Sequence, residues 1–353
     1  MNSNTKTAAD IGEFGLIDQI QKLLPEIDHK DVIIGIGDDT AVLRIDDARA
    51  MLITCDIQVE NQHFRLQNIS PYQLGRRAVA VNLSDIAAMG GRPTFALVSL
   101  GFPKTMAAAD FDDLIKGMRD HLAEFSAFII GGNLSSTEKD LIIDITMMGE
   151  MNSRQCLTRR GAKAGDRIFV SGEPGTSGAG FYMLATYGKA CPPELAHLVQ
   201  KHLQPIPRIE IGQRLAQSGF ATAMIDISDG IAPDLNHLCS MSHAGAELYQ
   251  AKFPLPSGID NVSSLSGIAP LQFALHSGED YELLFTMKSN TPASIIKSII
   301  DETGIAITEI GKILPQASGY CMIDSDKNRI PVQSEGWDHF RRKKPGSSMH
   351  SIP

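Results

Sequence analysis

The clearest hydrophobic pattern lies between Ser70 and Pro93. At about 100° per residue, Leu74, Ala78, Val81 and Asp85 share one narrow sector, which predicts a helix whose apolar face also carries a carboxylate. Ser70-Pro71 suits the helix start, and Gly90-Gly91 is the expected stop. Before it, Phe14, Ile17, Ile20 and Leu24 predict an amphipathic helix from Glu13 that ends at Pro25. Val32 to Ile36 reads as a buried strand entering Gly37-Asp38-Asp39, and after a charged turn from Arg44 to Arg49, Met51 to Cys55 reads as a second strand ending on Asp56. After the helix come a strand from Thr94 to Gly101 and a helix from Phe111 to Phe125, with Leu114, Met118 and Leu122 on one side. Phe128 to Ile130 then leads into Gly131-Gly132, and Leu141 to Met148 closes the first half.

A domain boundary is expected near Met151 to Gly165, where Arg154, Arg159, Arg160 and Lys163 gather around two glycines. A solvated linker accounts for most of these bases, and one of them could meet a phosphate. Arg167 to Ser171 starts a new strand. The glycines from Gly172 to Gly180 read as a turn and helix start, because the Gly-Lys-Ser/Thr ending of a phosphate loop is missing. Pro205 to Gln217 predicts a helix, Ala223 to Ile227 a strand, and an acidic run from Glu279 to Glu282 precedes another strand at Leu283. Residues 1–12 and the basic tail 341–353 are expected to be disordered. Both halves carry acidic turns at strand ends, without an alignable repeat.

These acids carry the candidate chemistry. Burial and the negative end of the helix dipole both oppose a charge at Asp85, and no Lys or Arg is placed on that face by the local sequence. Either a metal ion compensates it or the side chain caps a neighbouring backbone segment. Asp38 and Asp39 point to opposite sides of an extended chain, and Asp39 is the one assigned to a site, against a plain Asp-rich turn. Asp226 and Asp229, three apart, can converge on one cation with the Ser228 hydroxyl, or Ser228 or Asp229 can simply cap a helix. Gly131-Gly132 can offer free amides to an anion or form a tight turn. His63 lies in a polar loop, where a structural or exposed role is the usual one.

Composition narrows the classes. The 353 residues, 43% hydrophobic, suffice for two domains, and a net charge of -9 argues against a nucleic-acid or anionic-membrane binder. A phosphate-rich ligand would then need metal ions as go-betweens. The five cysteines are scattered without a C-x-x-C pair, and neither a signal peptide nor a membrane-spanning apolar run is present, so a soluble cytoplasmic protein is expected.

Taken together, Gly35-Ile-Gly-Asp-Asp39, Thr54-Cys-Asp56, His63-Phe64, Asn82-Leu-Ser-Asp85-Ile-Ala-Ala-Met-Gly90, Leu157-Thr-Arg159, Asp226-Ile-Ser-Asp-Gly230, Ser277-Gly-Glu-Asp-Tyr-Glu-Leu283 and Gly336-Trp-Asp-His-Phe340 resemble the thiamine-monophosphate kinase family. That family lies within the aminoimidazole ribonucleotide synthetase-like ATP-binding superfamily. The resemblance runs from Glu13 to Phe340 and implies an α/β (α+β) fold of two domains. Residues 13–150 would form an ATP- and magnesium-binding domain that dimerises through its sheet, and residues 151–340 an α/β domain folded over it. It implies Asp39, Thr54, Cys55, Asp56, Asp85, Asn133, Asp226 and Asp229 at the magnesium site. ATP contacts would come from Gly132, Asn133, Arg159 and Ser228, and thiamine monophosphate contacts from His63, Glu279 and Trp337. The implied reaction is in-line transfer of the γ-phosphoryl group of ATP to thiamine monophosphate in a homodimer. A different small acceptor, or nucleotide binding without turnover, are the alternatives.

That chemistry suits the residue types. ATP and a phosphomonoester together bring about five to six negative charges, and carboxylate-held divalent cations can offset them. Three departures from the family pattern bear on it: Asn133-Leu-Ser stands where Asp-Thr-Thr is usual, Cys55 stands where Thr is usual, and Glu60-Asn-Gln62 replaces a Gly-containing approach to His63. Asn133 can ligate magnesium but brings no charge.

Overall fold

The computed structural model describes residues 7–25 and 28–332 and resolves two sheets, each covered by helices. In chain order the first half comprises α1 (Ala8–Ile11), α2 (Glu13–Leu23), β1 (Val32–Ile34), β2 (Ala41–Arg44), β3 (Arg49–Val59), α3 (Pro71–Ala88), β4 (Arg92–Pro103), α4 (Ala108–Glu124), β5 (Phe128–Thr137) and β6 (Ile142–Asn152). The second comprises β7 (Arg167–Ser171), α5 (Thr176–Tyr187), α6 (Ala196–Leu203), α7 (Ile209–Ser218), β8 (Ala221–Asp226), α8 (Ile231–Ser242), β9 (Ala244–Tyr249) and α9 (Ile259–Ser266). It ends with α10 (Pro270–His276), β10 (Leu283–Met287), α11 (Ala293–Thr303), β11 (Ile307–Pro315), β12 (Tyr320–Ile323) and β13 (Arg329–Pro331).

The first sheet has six strands in the order β1-β2-β3-β6-β4-β5, antiparallel except for the β4–β5 pair, whose crossover is α4. The second has seven, β13-β12-β9-β11-β7-β10-β8, with only β12–β9 parallel. The expected α/β (α+β) two-sheet architecture is what the chain adopts. No helix among the described residues is long and apolar enough to cross a membrane.

Helix α3 is the spine of the first half. Ser70 Oγ accepts from the Gln73 amide, the Gln73 side chain returns to the Ser70 N–H at 3.2 Å, and Pro71 opens the helix, so both ends of a capping box are satisfied. Leu74, Ala78, Leu83, Ile86 and Ala87 are buried in the core shared with β3, β4 and β6. The helix also touches the second half. A Cβ on Gly212 of α7 would come within 2.1 Å of the Ala87 carbonyl, so only glycine allows this close approach of α7 to the C-terminal end of α3.

Several boundaries differ from those the spacing predicts. Residues 8–11, inside the stretch expected to be disordered, form a helical turn capped by Thr7 and Asp10. The first strand is shorter than 32–36 and only half-buried, because it lies at a sheet edge. Next to the expected charged turn, Ala41–Arg44 is a strand, and β3 runs from Arg49 to Val59. The helix expected from Pro205 begins at Ile209. Gly131-Gly132 is neither turn nor loop: β5 continues through it to Thr137, paired in parallel with β4. A Cβ at Gly132 would meet the Val98 carbonyl at 1.8 Å, so the glycine serves strand packing.

Candidate active site

Four carboxylates from separate parts of the chain meet where α3 packs against β8. Asp39 comes from the turn between β1 and β2, Asp56 from within β3, Asp85 from the last turn of α3 and Asp226 from the end of β8. Oxygens of Asp39, Asp85 and Asp226 lie within 4.8 Å of one another. Asp56 joins them through a hydrogen bond to Asp85. Their own hydroxyl neighbours hold them in place: Thr54 Oγ1 donates to Asp85, and Ser84 Oγ donates to Asp226 at 2.6 Å.

One base reaches the group. Arg159, in the connection between β6 and β7, places Nη2 2.6 Å and Nε 3.2 Å from Asp39 Oδ1, while its backbone N–H donates to the Asp38 carboxylate. Charge is therefore badly undercompensated. Burial, reinforced by Asp56, Asp226 and Asp39, pushes Asp85 far above the usual carboxylate range. Burial and then Asp39 raise Asp226 to about 7. Burial raises Asp56 to about 6 despite its bond from Asp85, with Asp144 and Asp39 adding to the rise.

Asp39 Oδ2 and Asp56 Oδ2 are buried without a hydrogen-bond partner among the described residues. Orphaned carboxylate oxygens cost several kcal/mol unless something cationic meets them, so the donor set fits a hard divalent cation bound through oxygen.

Around this core the turns are held by acids that the sequence reading did not single out. Asp234, buried in the first turn of α8, accepts at 3.1–3.2 Å from the amides of Ser228, Asp229 and Gly230, fixing the turn after Asp226. Asp280 accepts from the amides of Gly175 at 2.6 Å and Ser177 at 2.9 Å, so the glycine-rich start of α5 is filled by the protein's own carboxylate rather than by a phosphate. A first-turn Asp just after Gly230 was the available signal for Asp234.

The other expected residues fall in different places. Cys55 alternates to the opposite face of β3 from Thr54 and Asp56, with Sγ 3.0 Å from Asp144 Oδ1, so its side chain does not point at the cluster. Asp56 lies inside its strand, not at the end. The N–H of Asp229 is engaged by Asp234, and its carboxylate is not in the close group with Asp226. Gly132 and Asn133 lie on the exposed strand β5, where Asn133 pairs with Ser99 and so shares the sheet face opposite to that of the buried Val98 and Leu100. His63 Nδ1 accepts from the Val59 N–H at 3.0 Å. Glu279 lies in the loop before β10, which packs on the 227–230 turn: its N–H donates to the Ser228 carbonyl at 2.8 Å. Trp337 lies outside the described residues. A base does occur on the buried side of α3, contrary to the local reading: Arg77 is 2% exposed and pairs with Glu279.

Residues 37–151 match the family model for the AIR synthase related protein N-terminal domain, and 163–324 match the corresponding C-terminal domain. The chain is 32% identical over 327 residues to a thiamine-monophosphate kinase of Bacillus subtilis, spanning 92% of this chain and 99% of that one. It is 34% identical over 331 residues to the Aquifex aeolicus enzyme of that name, spanning 94% and 99%. Among solved structures, AaThiL complexed with AMPPCP and TMP superposes with a TM-score of 0.82 at 33% identity, covering 96% of this chain and all of that one. The chain belongs to the thiamine-monophosphate kinase family.

Proposed function

We propose that this protein transfers the γ-phosphoryl group of ATP to thiamine monophosphate, giving thiamine diphosphate and ADP. The observation that carries the reading is the meeting of Asp39, Asp56, Asp85 and Asp226 with orphaned oxygens where α3 packs against β8, in a chain of this family. These four residues would hold magnesium, which supplies the positive charge that two phosphorylated reactants need in order to approach.

The remaining work falls to named side chains. Thr54 and Ser84 orient Asp85 and Asp226, and Asp234 keeps the Ser228–Gly230 turn in register. Arg159 is the guanidinium available to nucleotide phosphates, with Ser228, Gly132 and Asn133 as further nucleotide contacts and Asp229 as an outlying ligand. His63 and Glu279 would receive the acceptor, joined by Trp337. The attacking phosphate oxygen has a second pKa near 6 and is ionised at neutral pH, so no general base is required.

A homodimer belongs to the same proposal. The face of the first sheet turned away from α3 and α4 exposes Phe95 and Leu97 of β4 and Phe128 and Ile130 of the neighbouring β5, an apolar surface suited to a second copy. A cytoplasmic location fits this biosynthetic role.

Incubation with ATP, magnesium and thiamine monophosphate is expected to release ADP and form thiamine diphosphate in equal amounts. ADP release with a ribonucleotide acceptor instead, or no thiamine diphosphate at high protein concentration, would overturn the proposal.

A further inference from the structure

Arg77 is a charged side chain buried to 2% exposure in the middle of α3, and both of its recorded partners come from the other half of the chain. Nη1 donates to the His202 carbonyl in α6, and Nη2 pairs with Glu279 Oε1 in the loop before β10. Glu279 Oε2 lies 3.7 Å from His202 Nδ1, and the Glu279 side chain keeps 35% exposure. His63 is among the titratable neighbours of Glu279. Glu279 is thus the open end of a buried chain of charge that begins on α3.

The loop carrying Glu279 is not relaxed. Glu279 and Tyr281 sit at φ of +64° and +51°, a region that costs a non-glycine residue about 1 kcal/mol or more. Their N–H groups donate to the carbonyls of Ser228 and Ile227 at 2.8 and 2.9 Å, which seats the loop on the turn after Asp226. A strained segment persists only where its surroundings over-determine it, and Arg77 is a hydrogen-bonded contact from the opposite half. Asp85 lies eight residues further along the same helix, a rise of about 12 Å at 1.5 Å per residue. One rigid element therefore sets both the carboxylate cluster and the Glu279 carboxylate.

We infer that Arg77 is a positioning residue for the acceptor: acting through Glu279, it fixes the carboxylate assigned above to the acceptor relative to the cluster that handles the phosphates. The inference rests on the reaction proposed above. A planar guanidinium bound by two acceptors orients a carboxylate in a way that a lysine ammonium does not reproduce.

The test is a double-mutant cycle with Arg77→Met, Glu279→Ala and the pair, measuring KM for thiamine monophosphate and for ATP separately. Arg77→Met is expected to raise KM for thiamine monophosphate about tenfold, with KM for ATP changed less than about twofold. In the Glu279→Ala background it should add less than about twofold, because its route to the acceptor is already lost. Arg77→Lys is expected to recover only part of the loss, and it replaces Arg77→Met in the cycle if the latter does not fold. Equal rises in both KM values, or effects that multiply with Glu279→Ala, would show a merely structural residue and overturn the inference. A wild-type protein that forms no thiamine diphosphate would instead fail the reaction itself, so the two failures are told apart.

Discussion

Glu282 and the Asp39, Asp56, Asp85, Asp226 group are both buried acid centres close to β8 and β10, and the protein treats them in opposite ways. Glu282, 1% exposed, accepts from Lys201 Nζ at 2.7 Å, Arg208 Nε at 2.6 Å and Ser171 Oγ at 2.6 Å. Burial opposes its charge, but Lys201 and Arg208 outweigh burial and draw the carboxyl down to about 2. In the four-carboxylate group, one guanidinium faces several acids, and the pKa values of Asp56, Asp85 and Asp226 move up instead. A centre that the chain neutralises with its own bases holds the fold together. A centre left short of positive charge is built for a cation from outside.

The largest expected effects break this comparison from both sides. Asp85→Asn should depress turnover by about a hundredfold or more, yet leave the thermal midpoint in chelator nearly unchanged, since burial already favours the uncharged form of this side chain. Glu282→Gln should do the reverse to the fold. It strands two buried cations and should cost about 3–5 kcal/mol of stability, read from urea unfolding. A stability loss in Asp85→Asn as large as that in Glu282→Gln would erase the distinction.

A smaller effect is carried by pH. Asp56 and Asp226 have folded values of about 6 and about 7 against 3.8 ordinarily, so between about pH 4 and 7 the folded chain binds more protons than the unfolded one. Metal-free stability should fall as pH rises through that window, and magnesium should flatten the fall. Glu282 has the opposite sign: its contribution is complete above 4.5 and is lost as pH falls toward about 2. Melting curves in chelator and in magnesium across both windows check the two slopes.

The smallest effect concerns the face of β3. Cys55→Ser should leave magnesium affinity within about twofold, in line with the half-kcal/mol range of surface substitutions, because the thiol points to Asp144 and away from the cluster. Loss of magnesium binding in that variant would put Cys55 back among the ligands.

What the sequence revealed follows from where each signal lies. Asp39, Asp85 and Asp226 were legible because each sits at the edge of an apolar element, where an acid stands out against its neighbours. The direction of the Cys55 side chain was not legible because the resemblance carries a segment as a block, whereas strand alternation sends Cys55 and Asp56 to opposite faces. Gly131-Gly132 carries the composition of a turn, and only the approach of the Val98 carbonyl explains why it remains a strand. Arg77 and Glu279 are 202 positions apart, and Arg208 and Glu282 are 74 apart, so neither pairing leaves any local periodicity to read. The two-sheet fold was recognised through motif order, while β2, only four residues long, was lost beside the charged turn that joins it to β3.

Calorimetric titration of magnesium at pH 8, in the absence of nucleotide, bears most directly on the claim that these distant acids form one cation site. The wild-type protein and Glu282→Gln, assayed below its melting temperature, should bind magnesium alike, and Asp85→Asn and Asp226→Asn should each bind it at least about tenfold more weakly. Undiminished magnesium binding in both aspartate variants would contradict the account.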